Sequence, residues 1–383
     1  MIAVGLMSGT SLDGIDAALV RIVPRDAGYG IDLLNFVTSP FELGLERRLR
    51  AALPPHEANA AAIAELHRSL GAAFARAARS ASGALAVDYV ASHGHTIFHD
   101  GAAHLTMQIG DPFAIREALR ATVCYDFRSA DCVVGGNGAP LVPYVDVLLL
   151  ADADEDRVAL NIGGIANVTA LPRGCEPHDV EAFDCGPGVM LLDAFVQMRS
   201  GGEQSYDADG ALAAAGRVDE AALSVMLGDP YFAQAAPKST GRERFGAQFL
   251  LSHRHLLERL SLEDGCATLT ELTAATIAGA IARLDVAASR VLCSGGGARN
   301  AALLARIAAR LPQARVEPSE VLGLRGDAKE ALAFAILGYE TLRERASNVP
   351  RVTGASRAVP LGAIAPFALH RLIAEVEKEC RSS

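Results

Sequence analysis

Short apolar runs joined by glycine-rich turns recur along the chain. Residues 2–7 are apolar, residues 8–14 are rich in turn formers, and residues 15–23 resume an apolar stretch with many β-branched side chains. The same order returns over residues 158–171. At each place the pattern predicts a strand, a glycine turn and a second strand. The chain therefore looks like two related halves, each opening with a hairpin.

Helical and extended patterns alternate around these hairpins. Residues 57–81 predict a helix, residues 87–92 and 122–127 predict strands, and Asp111 followed by Pro112 predicts the start of another helix. Later residues predict helices near 188–198, 242–260 and 269–284, a strand, glycine run and helix over 290–311, and a helix from Asp327. Strands that alternate with helices indicate α/β layers.

Composition narrows the class of protein. The 383 residues include 35 Lys and Arg against 45 Asp and Glu, a net charge of −10, and half of the residues are apolar. Dispersed arginines give no basic face for nucleic acid, and the apolar runs end well before the roughly 18 residues that span a bilayer. The N-terminus has no export signal, and the seven cysteines have no zinc-knuckle spacing. We expect a cytoplasmic protein with reduced thiols and with no nucleic-acid or membrane partner.

Two common nucleotide-binding motifs are absent or weak. The Lys-Ser-Thr at residues 238–240 has Pro237 and Phe232 where a P-loop requires glycines, so it is not a P-loop. Residues 294–300 follow a predicted strand and open a helix, but Asn300 takes the place of the third glycine of a dinucleotide fingerprint. This difference weakens an NAD site without excluding it.

Three glycine-rich turns at strand ends are candidate phosphate sites. They are residues 9–11, residues 163–167 and residues 295–297. Glycine lets backbone N–H groups approach an anion closely, and Thr or Ser hydroxyls add donors. One such turn alone would be interpreted as a tight turn only. Three of them, two inside matched hairpins, favour polyphosphate binding.

Asp184 stands at the end of a predicted strand, shortly before a Gly-Pro-Gly turn that leads into a helix. An isolated Asp in this position is most often a helix cap. Beside a bound γ-phosphate, a carboxylate can instead take the proton of an attacking hydroxyl or water, which is worth about 10²–10⁴ in rate. We interpret Asp184 as a candidate general base.

Four histidines, at positions 93, 95, 99 and 104, crowd the end of one predicted strand. A His-x-His pair there can bind zinc, so a zinc-dependent hydrolase centred on His93 and His95 is a competing hypothesis. The remaining histidines offer no matching ligands, and hydrogen-bonding roles are therefore preferred.

A polar loop over residues 125–140 is a candidate sugar site, because Arg128 suits a carboxylate and its Asp and Asn residues suit hydroxyls. Glu330, taken alone, is interpreted as a first-turn charge of a helix.

Five segments together resemble the anhydro-N-acetylmuramic acid kinase family. They are MSGTSLDG (7–14), NIGGIAN (161–167), FDCGPG (183–188), KSTGRE (238–243) and VTGASR (352–357), in the family's order, and the match runs from residue 1 to about 365. The resemblance implies an α/β, two-domain actin-like ATPase (ribonuclease H-like) fold with a central interdomain cleft. We assign residues 1–138 to domain I, with 355–383 returning to it, and residues 139–354 to domain II.

The resemblance also implies a reaction. The 1,6-anhydro ring of anhydro-N-acetylmuramic acid is hydrolysed while ATP, with Mg²⁺, phosphorylates the freed O6. The products are N-acetylmuramate 6-phosphate and ADP, in peptidoglycan recycling. The enzyme is expected to be a homodimer whose small-molecule partners are the anhydro amino sugar and ATP.

Roles follow for residues of the matching motifs. Asp184 is the general base, and no metal ligand is assigned. ATP is expected at Gly9, Thr10, Ser11, Leu12, Asp13, Gly14, Ile15, Asp16, Gly163, Gly164, Asn167, Gly186, Gly295, Gly296, Gly297 and Asn300. The sugar is expected at His93, Thr96, Arg128, Asp131 and Glu330, with Arg128 on its lactyl carboxylate.

Three positions depart from the family's usual residues. His95 stands where Gln is usual, Asn137 where Gln is usual, and Val189 where Asn is common. They lie in or near the expected sugar pocket or catalytic turn and therefore bear on the identity of the sugar. A kinase acting on levoglucosan, which shares the scaffold and needs no carboxylate recognition, is the alternative, and Arg128 argues against it. A catalytically silent sensor on the same fold is a third hypothesis, which the presence of Asp184 disfavours.

Overall fold

The computed structural model describes residues 1–9, 12, 14–24, 29–53, 56 and 58–382. The first elements are β1 (Ile2–Ser8), β2 (Ile15–Pro24), β3 (Tyr29–Ser39), α1 (Leu43–Ala52), α2 (Ala60–Ser82), β4 (Tyr89–Asp100), β5 (Leu105–Ile109), α3 (Pro112–Leu119), β6 (Thr122–Tyr125), α4 (Ser129–Val133) and α5 (Val142–Leu150). Next come β7 (Arg157–Ile162), β8 (Ile165–Leu171), β9 (Ala182–Pro187), α6 (Met190–Arg199), α7 (Ala211–Ala215), α8 (Glu220–Leu227), α9 (Arg242–Phe245), α10 (Ala247–Ser252), α11 (Arg254–Leu257) and α12 (Leu262–Ile281). The last are β10 (Arg290–Ser294), α13 (Ala301–Arg310), β11 (Arg315–Pro318), α14 (Lys329–Leu342), α15 (Pro350–Thr353), β12 (Ala363–Ala365) and α16 (Leu369–Ser382). Short 3-10 helices cover Ala208–Gly210, Pro230–Ala233, Gly296–Arg299 and Ser319–Leu322.

Each predicted hairpin begins a mixed sheet, and the two sheets share one strand order. In the first, β1 pairs antiparallel with β2, which pairs with β3, while β4 and then β6 continue parallel on the other side of β1. In the second, β7, β8 and β9 form the antiparallel part, and β10 and β11 continue parallel. The first sheet adds β12 beside β6 and β5 beside β4. The prediction of two related α/β halves is confirmed.

The chain divides into two units at boundaries that differ from the predicted ones. One unit comprises Met1–Leu148 and Ala328–Ser383, and the other comprises Leu149–Asp327. The first segment therefore ends ten residues beyond the predicted position 138, and the chain returns at 328 rather than at 355.

Contacts of α14 explain the early return to the first unit. The Tyr89 hydroxyl on β4 donates to the carbonyl of Ala335 at 2.7 Å, and the Tyr144 hydroxyl on α5 donates to Glu340 at 2.9 Å. Lys329 forms an ion pair with Asp146 at 2.6 Å, with both side chains buried. These buried contacts hold α5 and α14 to the first unit.

Strand alternation places the two faces of β1 against different helices. Val4 and Leu6 are fully buried in one hydrophobic cluster with Leu70 and Phe74 of α2. Gly5 lies on the opposite face, against α14. The second unit has one cluster around β7, β10, α12 and α13, and another formed by α6, α12 and the shorter helices between them.

Most predicted elements are present, with some differences. Asp111 caps α3 as predicted, accepting from Phe113 N at 2.9 Å. β3 and β5 were not predicted, and β4 continues through His93 and His95 to Asp100. The single helix predicted over 242–260 is wrong, because the chain breaks into α9, α10 and α11 at Gly246 and His253.

No helix in the described part of the chain is long and apolar enough to cross a membrane. Cysteine side chains at the described positions 124, 132, 175, 185, 266 and 293 are free thiols.

Replacing Gly5 tests the contact between β1 and α14. A Cβ at this position would lie 1.8 Å from the carbonyl oxygen of Ala331, so backbone would have to shift. We expect Gly5→Ala to lower the free energy of unfolding by about 3 kcal/mol. Gly44 on α1 has no atom within 4 Å of an added Cβ, so Gly44→Ala should change stability by less than about 1 kcal/mol. Urea unfolding followed by circular dichroism measures both, and equal stabilities would contradict the close packing.

Candidate active site

Three loops of the second unit lie at the carboxyl edge of its sheet. The 163–164 turn follows β7, residues 188–189 follow β9, and residues 295–297 follow β10, and these three strands run in the same direction. Gly188 N donates to the carbonyl of Gly164 at 2.8 Å, and Val189 N donates to that of Gly163 at 2.9 Å. Two predicted phosphate turns therefore lie on the same sheet edge as the end of the strand that carries Asp184.

Glycine is required at several of these positions for different reasons. Gly295 has a φ of +83° and Gly186 a φ of +145°, conformations that disfavour other residues. A Cβ on Gly297 would lie 2.3 Å from the Ile162 side chain. Asn300 also has a structural role, because its side-chain oxygen accepts from Leu303 N at 2.9 Å and caps α13. Its predicted contact with a nucleotide stays a prediction.

Asp184 is held by backbone and side-chain contacts in β9. It pairs in register with Asn167 of β8. Its Oδ2 accepts from Thr240 N at 2.9 Å, and its carbonyl accepts from the Tyr231 hydroxyl at 2.8 Å. Because its carboxylate bonds to Thr240 and α6 begins at Met190, the helix-cap interpretation of Asp184 is wrong.

The surroundings of Asp184 favour its neutral form. Burial raises the pKa of this carboxyl to about 6, and the charge of Glu243 adds to the rise. The Thr240 N–H and the charge of Lys238 act in the opposite direction. A carboxyl group with this pKa changes charge just below neutral pH, the range in which a general base works best.

A cavity of about 380 Å³ lies beside these loops in the second unit. This volume is within the roughly 300–1,000 Å³ of small-molecule sites. The predicted residues Gly296, Gly297 and Asn300 line it, and so do Asp193 and Tyr206, which sequence reasoning missed. Burial raises the pKa of Asp193 to about 6, with a contribution from the charge of nearby Asp207. Asp193 follows Val189 by one helical turn, and this spacing could have indicated that the two residues lie on the same side of α6.

The predicted nucleotide loop of the first unit is described in part. Thr10, Ser11 and Asp13 lie outside the described residues. The carbonyl of Gly9 accepts from Leu12 N at 3.3 Å, and a Cβ on Gly14 would lie 2.6 Å from the carbonyl oxygen of Ser39.

The side chains in this loop correct part of the prediction. Leu12 and Ile15 are buried in the hydrophobic core, so only their backbone groups are available to a ligand. Asp16 is the second residue of β2, where its Oδ1 accepts from the Thr38 hydroxyl at 2.6 Å.

Arg128 follows β6 and is oriented by His93. Its Nε donates to His93 Nε2 at 2.9 Å, and its Nη1 donates to the carbonyl of Gly138 at 2.8 Å. His93 is buried, and its Nδ1 lies 3.0 Å from the carbonyl of Gly94, so this ring is neutral and donates there. Burial lowers the pKa of His93, and the charge of Arg128 adds to the fall. Both ring nitrogens of His93 bond to groups of the protein, so they are not available to a sugar. His93 therefore positions Arg128, whereas the sequence predicted that it contacts the sugar.

Burial lowers the pKa of Arg128 to about 10, and the charge of Glu330 partly offsets this effect. The structure therefore brings Arg128 and Glu330 close enough for their charges to interact, and their shared role in a sugar site stays a prediction. With Nε and Nη1 engaged, Nη2 is the remaining nitrogen that can reach a ligand. Thr96 accepts from the Gln108 side chain at 3.2 Å, which leaves its hydroxyl proton for another acceptor.

Asp131 is fully buried and bonded internally. Its Oδ2 accepts from Gly138 N at 2.8 Å, and its Oδ1 accepts from Asn348 at 2.6 Å and from the Thr353 hydroxyl at 2.8 Å. These bonds leave no exposed oxygen, so the direct sugar contact predicted for Asp131 is replaced by a role in holding the 136–138 turn beside Arg128.

The zinc hypothesis for His93 and His95 is wrong. Arg128 occupies Nε2 of His93, and His95 is fully buried with its Nδ1 3.1 Å from the Ser8 hydroxyl. Across the described ranges, no group of three or more His, Cys, Asp or Glu side chains is placed to hold a metal ion.

The chain thus has two α/β units that share one strand order, with glycine turns at the carboxyl sheet edge of the second unit and a partly buried aspartate on a strand of the same sheet. The model of the family described as anhydro-N-acetylmuramic acid kinase matches residues 1–367. The chain is 46% identical over 370 residues to the anhydro-N-acetylmuramic acid kinase of Xanthomonas axonopodis, covering 94% of this chain and 97% of that protein. It is 43% identical over 373 residues to that of Streptomyces coelicolor, covering 96% and 94%.

A solved structure of xylulose kinase from Rhodospirillum rubrum is also similar, at 13% identity and a TM-score of 0.44, covering 100% of this chain and 98% of that chain. The chain belongs to the anhydro-N-acetylmuramic acid kinase family, and it is an enzyme of the kinase type.

Proposed function

We propose that this kinase hydrolyses the 1,6-anhydro ring of anhydro-N-acetylmuramic acid and phosphorylates the freed O6 with ATP. The products are N-acetylmuramate 6-phosphate and ADP, and the process served is peptidoglycan recycling. The observation that carries the proposal is Asp184, whose buried surroundings raise its pKa to about 6 on a strand that ends at the glycine turns. Family membership over residues 1–367 supports the substrate class.

Asp184 is the proton acceptor in this mechanism. It takes a proton from water as the water oxygen bonds to the anomeric carbon, and the bond from that carbon to O6 breaks. O6 then bonds to the γ-phosphorus, and the bond between that phosphorus and the β,γ-bridging oxygen breaks, which releases ADP. The Thr240 N–H holds Oδ2 of the carboxylate, which leaves Oδ1 to accept the proton of the water.

MgATP is the phosphoryl donor in this proposal. Gly164 and the 295–297 turn would present backbone N–H groups to its phosphates, while the Gly163 N–H donates to the carbonyl of Ile165 at 3.2 Å. The 380 Å³ cavity beside Gly296 and Gly297 suits its adenosine. Mg²⁺ in nucleotide sites is held largely by phosphate oxygens and water, so it needs no dedicated protein cage.

Arg128 supports an acidic sugar as the substrate. Its Nη2 is directed by two internal bonds, one to His93 and one to Gly138, which prepares the guanidinium for a carboxylate. Levoglucosan has no carboxylate, so it offers no ionic partner to the Arg128 guanidinium. The homodimer implied by the resemblance stays a prediction.

Removing the carboxylate of Asp184 tests the base. We expect Asp184→Asn to bind ATP normally while turnover falls about 10²–10⁴-fold. ADP release with MgATP and anhydro-N-acetylmuramic acid measures turnover, and calorimetry measures ATP binding. Asp285→Asn, at an exposed position of the same unit, is the matched control. Normal turnover of Asp184→Asn would place the base elsewhere, and a wild-type protein inactive with both this sugar and levoglucosan would overturn the proposed function.

The raised pKa of Asp184 predicts the pH dependence of the reaction. A base must be ionised to act, so kcat/KM should be level above pH 7 and fall about tenfold per pH unit below about 6. Initial rates from pH 4.5 to 8.5 measure this. An acid limb centred near pH 4, the ordinary value for an exposed Asp, would contradict the assignment.

Replacing Arg128 tests which sugar is bound. We expect Arg128→Gln to raise KM for anhydro-N-acetylmuramic acid about 10–100-fold, because a charge-assisted hydrogen bond contributes about 1.5–3 kcal/mol. Any turnover of levoglucosan should change much less. Arg68→Gln, an exposed position on α2, is the control. Equal losses with both sugars would show that Arg128 does not read the carboxylate.

A further inference from the structure

Lys238 occupies a defined place beside the proposed base. Its Nζ lies 4.5 Å from the centre of the Tyr231 ring and 5.5 Å from that of Phe183. The same ammonium donates to the carbonyl of Tyr231 at 3.2 Å. An ammonium between two aromatic faces is attracted by the ring quadrupoles, more strongly where water is partly excluded. Lys238 is thus held in one orientation.

The segment anchored by Lys238 is the one that holds Asp184. Asp184 N donates to the carbonyl of Lys238 at 3.3 Å, and Thr240 N donates to Asp184 Oδ2 at 2.9 Å. Tyr231 takes part in both arrangements, because it contacts the ammonium and also donates its hydroxyl to the Asp184 carbonyl. The ammonium, the aromatic ring and the carboxylate therefore form one connected group.

The charged groups around Asp184 act in different directions. Glu243, in the first turn of α9, disfavours its ionised form, and Lys238 favours that form. Burial lowers the pKa of Lys238, and the charge of Arg283, beyond the end of α12, adds to the fall. Asp184 in turn acts on Tyr231 and disfavours ionisation of that phenol. Lys238 is the nearby cation that counteracts burial and Glu243.

We propose that Lys238 is a positioning residue that holds the 238–240 segment against Asp184 and keeps the Asp184 carboxylate ionised at the pH of the reaction. This inference rests on the proposed role of Asp184 as the general base. Lys238 itself exchanges no proton and makes no contact with the reacting atoms in this proposal.

The test compares Lys238→Met, which keeps the stem against both rings, with Lys238→Arg, which keeps the charge. Lys238→Gln is a second neutral variant, and Lys378→Met removes a lysine from the surface of α16 as a control. Carbon-13 NMR of labelled aspartate, with Asp184→Asn to assign the resonance, measures the Asp184 pKa directly. Rate profiles from pH 4.5 to 8.5 give a second measurement.

We expect both neutral variants to move the Asp184 pKa and the acid limb upward by about half a unit to one unit, because a nearby favourable charge is lost. At pH 5.5 this corresponds to a further loss of rate of about threefold to eightfold. Lys238→Arg and Lys378→Met should keep the wild-type values.

An unchanged Asp184 pKa in both neutral variants would overturn the inference, and so would a loss of activity that is uniform across pH and not restored by Lys238→Arg. Failure of the proposed function has a different signature. In that case the wild-type protein would release no ADP with either anhydro-N-acetylmuramic acid or levoglucosan, whereas failure of the base assignment alone would leave Asp184→Asn with normal turnover.

Discussion

The close contact between the 163–164 turn and Gly188 is the constraint on which the rest of the second unit's site depends. A Cβ on Gly188 would lie 2.1 Å from the carbonyl oxygen of Gly163, so no other residue fits without moving backbone. The contact fixes where β9 ends and where α6 begins. Asp184 precedes this point by four residues, and Val189 and Asp193, which line the cavity, follow it. One backbone approach therefore sets the position of both the proposed base and the proposed nucleotide cavity.

Local signals in the sequence were sufficient for the elements and turns that form the framework of the site. Both strand pairs, the Asp111 cap and the glycine turns at 163–164 and 295–297 depend on neighbouring residues only, and they are present where predicted. β3 was missed because its exposed face carries polar and apolar side chains without strict alternation. The unit boundaries were misplaced because α5 and α14 join the first unit through contacts nearly 200 residues apart in sequence, such as that between Tyr144 and Glu340.

The roles of individual polar side chains were harder to predict, since each depends on a partner from a distant segment. His93 and Asp131 are residue types that often bind sugars. Here His93 bonds to Arg128, and Asp131 bonds to Asn348 and Thr353. Asn300 likewise caps its own helix. In each case a residue type suited to a ligand stabilises the loop that presents another residue. The sequence could show which residue types lie near the site. It could not show which of them face a ligand and which hold the loops in place.

The three departures from the family pattern have structural partners that do not involve Arg128. His95 is buried and bonded to Ser8, and burial lowers its pKa to about 4, so it stays neutral within the core. Asn137 is held through its backbone, whose N–H donates to Thr353 at 2.8 Å. Val189 lines the cavity of the second unit, which is the proposed nucleotide site. None of these three side chains bonds to Arg128, whose described partners are His93 and the carbonyl of Gly138, so the proposed recognition of a carboxylate does not rest on them directly.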